Sequence, residues 1–153
     1  MNLQFQGQEH IARPKDAVWQ FISDPKNIAE SLPDVIDYTI RDQHSFDANV
    51  QVAVGPVRGK FKFAIELQPQ PAGDRMNLKI GGGGFGSVLD LLAEADIKAD
   101  GESTVLDWRG TATVRGPIAT LGGRVLDAQA RHVIATTFSN INERLSGTAA
   151  PPV

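Results

Sequence analysis

From Phe46 to Val114 the chain alternates apolar and other residues with a period of two, and after Gly116 it changes to a helical period for one long segment. That switch constrains the fold more than any other feature. Phe46, Ala48, Val50, Val52 and Val54 share one parity against Asp47, Asn49, Gln51 and Ala53. After a Gly55-Pro56 turn, Val57, Gly59, Phe61, Phe63, Ile65 and Leu67 face one way, while Arg58, Lys60, Lys62, Ala64 and Glu66 face the other. Met76, Leu78 and Ile80 continue the pattern, as do Thr104, Leu106, Trp108, Gly110, Ala112 and Val114. Alternation of this one-sided kind belongs to antiparallel sheets with one face on a core and the other in water. Strands of a doubly covered parallel sheet would be apolar on both parities.

The flanks complete the plan. Leu3, Phe5, Gly7 and Ile11 alternate with polar residues, which predicts a half-buried first strand. Pro14 suits a helix start, and Val18, Phe21 and Ile22 recur at helical spacing beside Trp19. Asp24 can cap a second short helix with Pro25 at its first position, and Leu32-Pro33 ends it. Val35 to Arg41, rich in β-branched residues, reads as a strand. Near the C-terminus, Ile134, Phe138, Ile141 and Leu145 form an apolar stripe at spacings of four, three and four, with Leu121, Val125 and Ala128 beside it. The predicted helix runs from Gly116-Pro117 to about Leu145, with Gly147 as its stop and 147–153 as a short flexible tail. Gly122 and Gly123 inside such a helix cost about 1 kcal/mol each relative to alanine, offset either by close packing on the sheet, the favoured expectation, or by room for a ligand.

One segment has a rival reading. Gly81, Gly83 and Gly86 satisfy G-x-G-x-x-G after a strand, with Asp100 and Glu102 downstream, as a dinucleotide loop would. Such a loop needs parallel, fully buried neighbours, and the strand feeding it is polar on alternate positions. The downstream stretch also reads as a strand, with Leu89, Leu91, Ala93, Ala95, Ile97 and Ala99 inward. The glycines therefore read as a bend in a sheet.

Assembled, residues 1–146 form a single α+β domain: a strongly curved seven-stranded antiparallel sheet wrapped around a long C-terminal helix, with two short helices after the first strand. A sheet bent round a rod need not meet it everywhere, and the gap would be an apolar cavity suited to an apolar guest. Its predicted lining from the first hairpin is Val50, Val52, Phe61 and Phe63. Leu78, Leu89, Leu91 and Trp108 follow from the later strands, with Leu32 at the second helix and Leu121 and Val125 at the last.

Composition fits a binding domain. At 153 residues the chain is one domain long, and its net charge of −3 gives no general nucleic-acid footprint. Without cysteine there is no disulfide framework, thiolate metal site or thiol nucleophile. His10, His44 and His132 show no metal-ligand spacing, so no metal and no cofactor are expected. Asp90, Glu94, Asp96 and Asp107 read as outward, leaving Tyr38 as the one titratable side chain toward the cavity, too little for an enzyme site. Arg58, Lys60 and Lys62 form an outward basic stripe, either a solvated face or a dock for anionic headgroups or an acidic partner. No signal peptide or membrane-length apolar run is visible, so the expected location is cytoplasmic, with at most peripheral contact at the inner face of the membrane.

The order of elements resembles the helix-grip fold of START-related domains (the SRPBCC superfamily), and several motifs narrow the resemblance. Ala12-Arg13-Pro14 to Val18-Trp19, Asp24-Pro25 and Leu32-Pro33 are similar to the start of CoxG-like proteins, the CoxG subunits of carbon monoxide dehydrogenase. Val54-Gly55-Pro56-Val57-Arg58-Gly59-Lys60-Phe61, the Gly81–Gly86 run, Thr111 to Ala119 and Leu121-Gly122-Gly123-Arg124 extend the match. The resemblance implies a non-catalytic accessory of molybdenum-hydroxylase-type dehydrogenases, with a pocket for a quinone or lipid-like molecule. Its implied role is membrane recruitment or coupling to the respiratory chain. A cyclase or hydrolase on the same scaffold is the alternative. Position 34 is Asp where that family commonly has Gly, so a different loop path is expected there.

Overall fold

The computed structural model describes residues 1–149. β1 (Asn2–Ile11) leads into α1 (Lys15–Ile22) and α2 (Pro25–Ser31), followed by β2 (Val35–Ile40), β3 (Ser45–Val54), β4 (Val57–Gln70), β5 (Arg75–Gly84), β6 (Ser87–Asp100) and β7 (Ser103–Arg115). A 3-10 turn, Pro117–Leu121, precedes α3 (Gly123–Ala149). The seven strands make one sheet in the order β1-β7-β6-β5-β4-β3-β2, and each neighbouring pair is antiparallel. At about 1.5 Å per residue α3 is roughly 40 Å long, enough to lie along the concave face from end to end.

Local chemistry explains the short elements. The Asp24 carboxylate accepts the Lys26 N–H at 3.0 Å and caps α2, with Pro25 filling the first position. Pro14 sits just outside α1, one place earlier than expected, with φ −60°. Asp34 holds a left-handed φ of 61°, a conformation that glycine favours and aspartate tolerates. Its carbonyl accepts the Gln51 N–H at 2.9 Å.

The glycine run is the hairpin between β5 and β6. Gly84 pairs with Ser87 across a two-residue turn, Phe85-Gly86, whose φ values are 54° and 75°. The register continues from Gly83–Val88 to Arg75–Asp96, so no strand hands over to a helix and the dinucleotide reading fails. A Cβ on Gly83 would fall on the Ser87 carbonyl, and one on Gly82 would stand 2.8 Å from the Phe63 Cα. Bare backbone lets three strands approach and bend here.

Four expectations about the last helix are corrected. Gly116-Pro117 opens a 3-10 turn rather than the helix, because φ is 93° at Gly116 and 90° at Gly122 and neither continues a right-handed helix. Leu121 therefore lies outside α3, and the glycine pair is a joint, with no atom within 4 Å of either Cβ position, so close packing does not explain it. Of the second stripe, Val125 and Ala128 are exposed, and Leu126 is the buried residue of that turn. At the other end α3 passes Gly147 and continues to Ala149, so the tail does not begin at 147; its remainder, 150–153, lies outside the described residues.

Two buried clusters hold the layers together. Ile11, Val18, Phe21, Ile22, Leu67, Met76, Ile97, Leu106, Ile141 and Leu145 join α1, the sheet and the end of α3. Ala29, Phe46, Ala48 and Ile65 join α2 to β3 and β4. Polar ties reinforce this end: the Asn140 side chain donates to the Ser31 carbonyl at 2.9 Å, and Arg144 meets Glu30 at 2.8 Å.

Candidate functional site

The inward parity of the middle strands is apolar yet incompletely covered. Val50 and Val52 on β3, Phe63 on β4, Leu78 and Ile80 on β5, Leu89 and Leu91 on β6 and Trp108 on β7 are each only half-buried. They face α3 and not the outer solvent, as the registers require: Leu78 is paired with Leu67 and Ala93, and Leu91 with Ile80 and Ala112. The backbone of α3 runs closer to α1, α2, β1 and the 3-10 turn than to β4, β5 and β6. Half-buried apolar side chains that lead from the packed end toward the hairpin tips outline a hollow.

The sequence-predicted lining distributes along it. Leu32, Val50, Phe63 and Leu78 pack against the Phe46 cluster at the α2 side. Phe61 is 3% exposed, its ring 6.0 Å from that of Phe63, so it is wall material with little free surface. Trp108 lies 5.9 Å from Phe138 of α3, ring to ring, and over Gly7, where a Cβ would stand 2.7 Å from the indole. Its Nε1 is buried and has no hydrogen-bond partner among the described residues. An indole N–H in that state is costly unless something supplies an acceptor. Val52, Leu89 and Leu91 line the half toward the hairpin tips, where Leu121 and Val125 stand at the joint into α3, Val125 being 44% exposed.

About 800 Å³ of concave space lies along β1, β5, β6 and β7. The sheet backbone divides it, so it is not one chamber. Phe5, Leu78, Ala93 and Gly110 with Arg131 border it on the α3 side, and Gln4, Gln6, Asn77, Glu94 and Arg109 on the convex side. The Arg131 guanidinium lies 5.6 Å from the Phe5 ring centre and pairs with Asp127 at 2.9 Å.

One inward titratable residue escapes the alternation reading. Glu9 occupies the same parity of β1 as Phe5 and Ile11 and pairs in register with buried Leu106. Burial pushes its carboxyl above the usual 4.5. The signal lies in the sequence, since positions 3, 5, 7 and 11 already define that face. Tyr38 also points inward, across from Ala48, but its hydroxyl donates to Glu30 at 2.6 Å. That bond raises the phenol pKa and, with Arg144, lowers that of Glu30. The pair latches β2 to α2.

The convex face carries the other charges of the sheet. Arg75 reaches Asp96 at 2.8 Å and Glu94 at 3.3 Å, while Arg109 bonds the same two carboxylates, and the Arg75 hydrogen bond first of all holds Asp96 below its usual range. Asp90 and Asp107 pair with Arg115 and Lys98. Arg58, Lys60 and Lys62 are exposed and form no ion pair among the described residues, facing Ala53, Gln51 and Asn49 across β3. His10 is 3.7 Å from Asp100 at the exposed rim, and among the described residues no three acidic or histidine side chains converge as a metal site would need.

Solved structures share this architecture. A conserved protein from Geobacillus kaustophilus superposes with a TM-score of 0.87 at 21% identity, covering 95% of this chain and 97% of that one. The ZhuI aromatase/cyclase from Streptomyces sp. R1128 superposes at 0.73 with 14% identity, over 99% and 98%. A START superfamily protein from Mycobacterium smegmatis gives 0.71 at 12% identity, over 95% and 98%. These likenesses show a START-like fold. No curated protein matches the sequence. Residues 7–146 match the family model of the carbon monoxide dehydrogenase subunit CoxG, and the protein belongs to that family.

Proposed function

We propose that the protein is a non-catalytic binding module for a lipophilic small molecule, quinone or lipid-like, held between the sheet and α3. In this reading it serves a carbon monoxide dehydrogenase or related molybdenum-hydroxylase-type enzyme, by bringing it to the membrane or coupling it to electron transfer. One observation carries the binding claim: beyond the two packed clusters, toward the hairpin tips, the apolar inner face stays only half-buried. Each Å² of that surface covered by an apolar guest contributes about 25 cal/mol. The unpartnered Trp108 N–H supports a guest with an acceptor oxygen, such as a quinone carbonyl, rather than a pure hydrocarbon. The family's association with carbon monoxide dehydrogenase supports the partner.

The membrane part of the reading rests on Arg58, Lys60 and Lys62, three exposed cations that face neutral residues across β3. Among the described residues no helix is long and apolar enough to cross a membrane. In this reading the membrane contact is peripheral, at the cytoplasmic face. Native mass spectrometry and solvent extraction of the purified protein test the reading, together with titration of decylubiquinone and of a fluorescent fatty acid against tryptophan emission. A retained quinone or lipid, or saturable quenching of tryptophan emission that Trp19→Phe leaves in place, is expected. A protein that carries nothing and binds neither probe refutes it.

A cyclase or hydrolase on the same scaffold is the second reading, favoured by Glu9. Its raised carboxyl on the inner face is a group placed to act as an acid. The fold of the ZhuI aromatase/cyclase is consistent with it. Recovery of a bound compound that wild type alters in mass and Glu9→Gln does not would favour this reading over the first.

A further inference from the structure

Phe85 is an unusual residue for its place. It is the first residue of the two-residue turn between β5 and β6, with φ 54°, where glycine, asparagine or aspartate sits at little cost and a bulky aromatic does not. It is also 57% exposed. Its ring is folded back over β4, 5.8 Å from the Phe61 ring, and fills the spot where a side chain on Gly59 would stand. Gly59 and Phe61 belong to the inward parity of β4, so the ring lies on the hollow's side of the sheet.

The surroundings form a rim with a gap. Leu121 comes within 3.9 Å of the Cβ position of Gly55, at the tip of the β3–β4 hairpin. Pro117 lies 3.8 Å from that of Gly86, and the Ile118 N–H donates to the Ser87 hydroxyl at 2.9 Å. The segment between β7 and α3 is thus tied to the β5–β6 tip by a hydrogen bond and stands near the β3–β4 tip. Between those contacts and the start of α3, Gly122 and Gly123 have no atom within 4 Å of their Cβ positions, and Val125 just beyond is exposed. Bulk is missing where α3 begins, and an aromatic ring stands at the neighbouring tip.

We propose that Phe85 is the movable wall of the portal to the hollow: swinging its ring off Gly59 and Phe61 opens a passage, toward the Gly122-Gly123 joint, for an apolar guest. The proposal rests on the binding reading above. The ring is held by aromatic contact on one side and solvent on the other, with no hydrogen bond to break, and its turn carries backbone strain of the kind that marks moving parts of sites. In the open state the Phe61 face turns from ring contact to guest contact, so apolar surface is exchanged and not exposed.

Stopped-flow fluorescence with 1-anilinonaphthalene-8-sulfonate as the apolar probe tests this on the full chain. Phe85→Ala should speed both association and dissociation about two- to tenfold, the span that one lost aromatic contact corresponds to, with the dissociation constant changed less than either rate. Gly123→Val, which adds bulk at the opposite lip where nothing stands within 4 Å, should slow association. It also keeps the test alive should Phe85→Ala fold poorly. Unchanged association rates in both variants, with wild type binding the probe, overturn the portal and leave the hollow standing. A wild type that binds no probe overturns both.

Discussion

Substituting Gly83 by alanine tests the bend that makes the hollow. At a glycine with ordinary φ, alanine normally stabilises by about 0.4–1 kcal/mol, because the unfolded chain has less freedom to lose. Gly83 has no left-handed φ, so that gain is available in principle. The structure reverses the sign. The new Cβ would fall on the Ser87 carbonyl oxygen, 2.9 Å from its carbon and 3.2 Å from the Val88 Cα, and all three are backbone atoms. No rotamer relieves that. Strands β5 and β6 must separate by roughly an ångström at Gly83–Val88, which stretches ladder bonds near about 2.9 Å beyond bonding distance. Two such bonds at about 0.5–1.5 kcal/mol each, plus the desolvation of groups left unpaired, give a net loss of about 2–4 kcal/mol. Gly123→Ala, with nothing within 4 Å, is the control and should gain about 0.5 kcal/mol. Urea titration by circular dichroism reads both, and at about 2–4 °C per kcal/mol for a chain of this size the melting points should part by roughly 5–18 °C. A Gly83→Ala protein as stable as wild type would refute the close approach of these strands, and with it the origin of the curvature.

Other outcomes follow from the same structure. Because burial raises the Glu9 carboxyl above 4.5, the native state keeps that proton to higher pH than the unfolded chain, and stability is lost as pH rises through and past this window. Glu9→Gln should therefore be more stable than wild type at pH 7 and no different below pH 4.5, by denaturant titration at both values; an equal effect at the two pH values would contradict the assignment. Exchanging Arg58, Lys60 and Lys62 together for glutamine should lower partitioning onto phosphatidylglycerol vesicles on the order of 100-fold at low salt, at about 1 kcal/mol per cation, with no change on neutral vesicles. Ile97, 1% exposed in the cluster beneath α1, should cost about 2–5 kcal/mol when cut to alanine, read by thermal melting.

The strands are legible because their chemistry is local. Period two is set by the pleat, so the inward set Val50, Phe63, Leu78, Leu91 and Trp108 can be named from parity alone, and the registers place all five on the α3 side. Asp24-Pro25 announces α2 by capping chemistry that needs no partner beyond its own turn. Glu9 escapes although the parity of β1 includes it, because a charged residue on an apolar face reads as an exception to the pattern. The helix joint escapes for a different reason. Gly116 and Gly122 take φ of 93° and 90°, and a glycine's conformation is chosen by what surrounds it, so the break between Leu121 and Gly123 leaves no mark in the periodicity.

Taken alone, the order of residues determined the antiparallel character of the sheet, its inward face and the presence of one long terminal helix, since each depends on spacing along a single element. Tertiary structure decided how far α3 stands from β4, β5 and β6, which inner residues are sealed and which stay half-open, and that Phe85 folds inward over Gly59. Those are distances between segments far apart in the chain, set by the bend at Gly82-Gly83 and by the two clusters that clamp α3 at one end. Periodicity carries the direction of a side chain; only packing carries what stands opposite it.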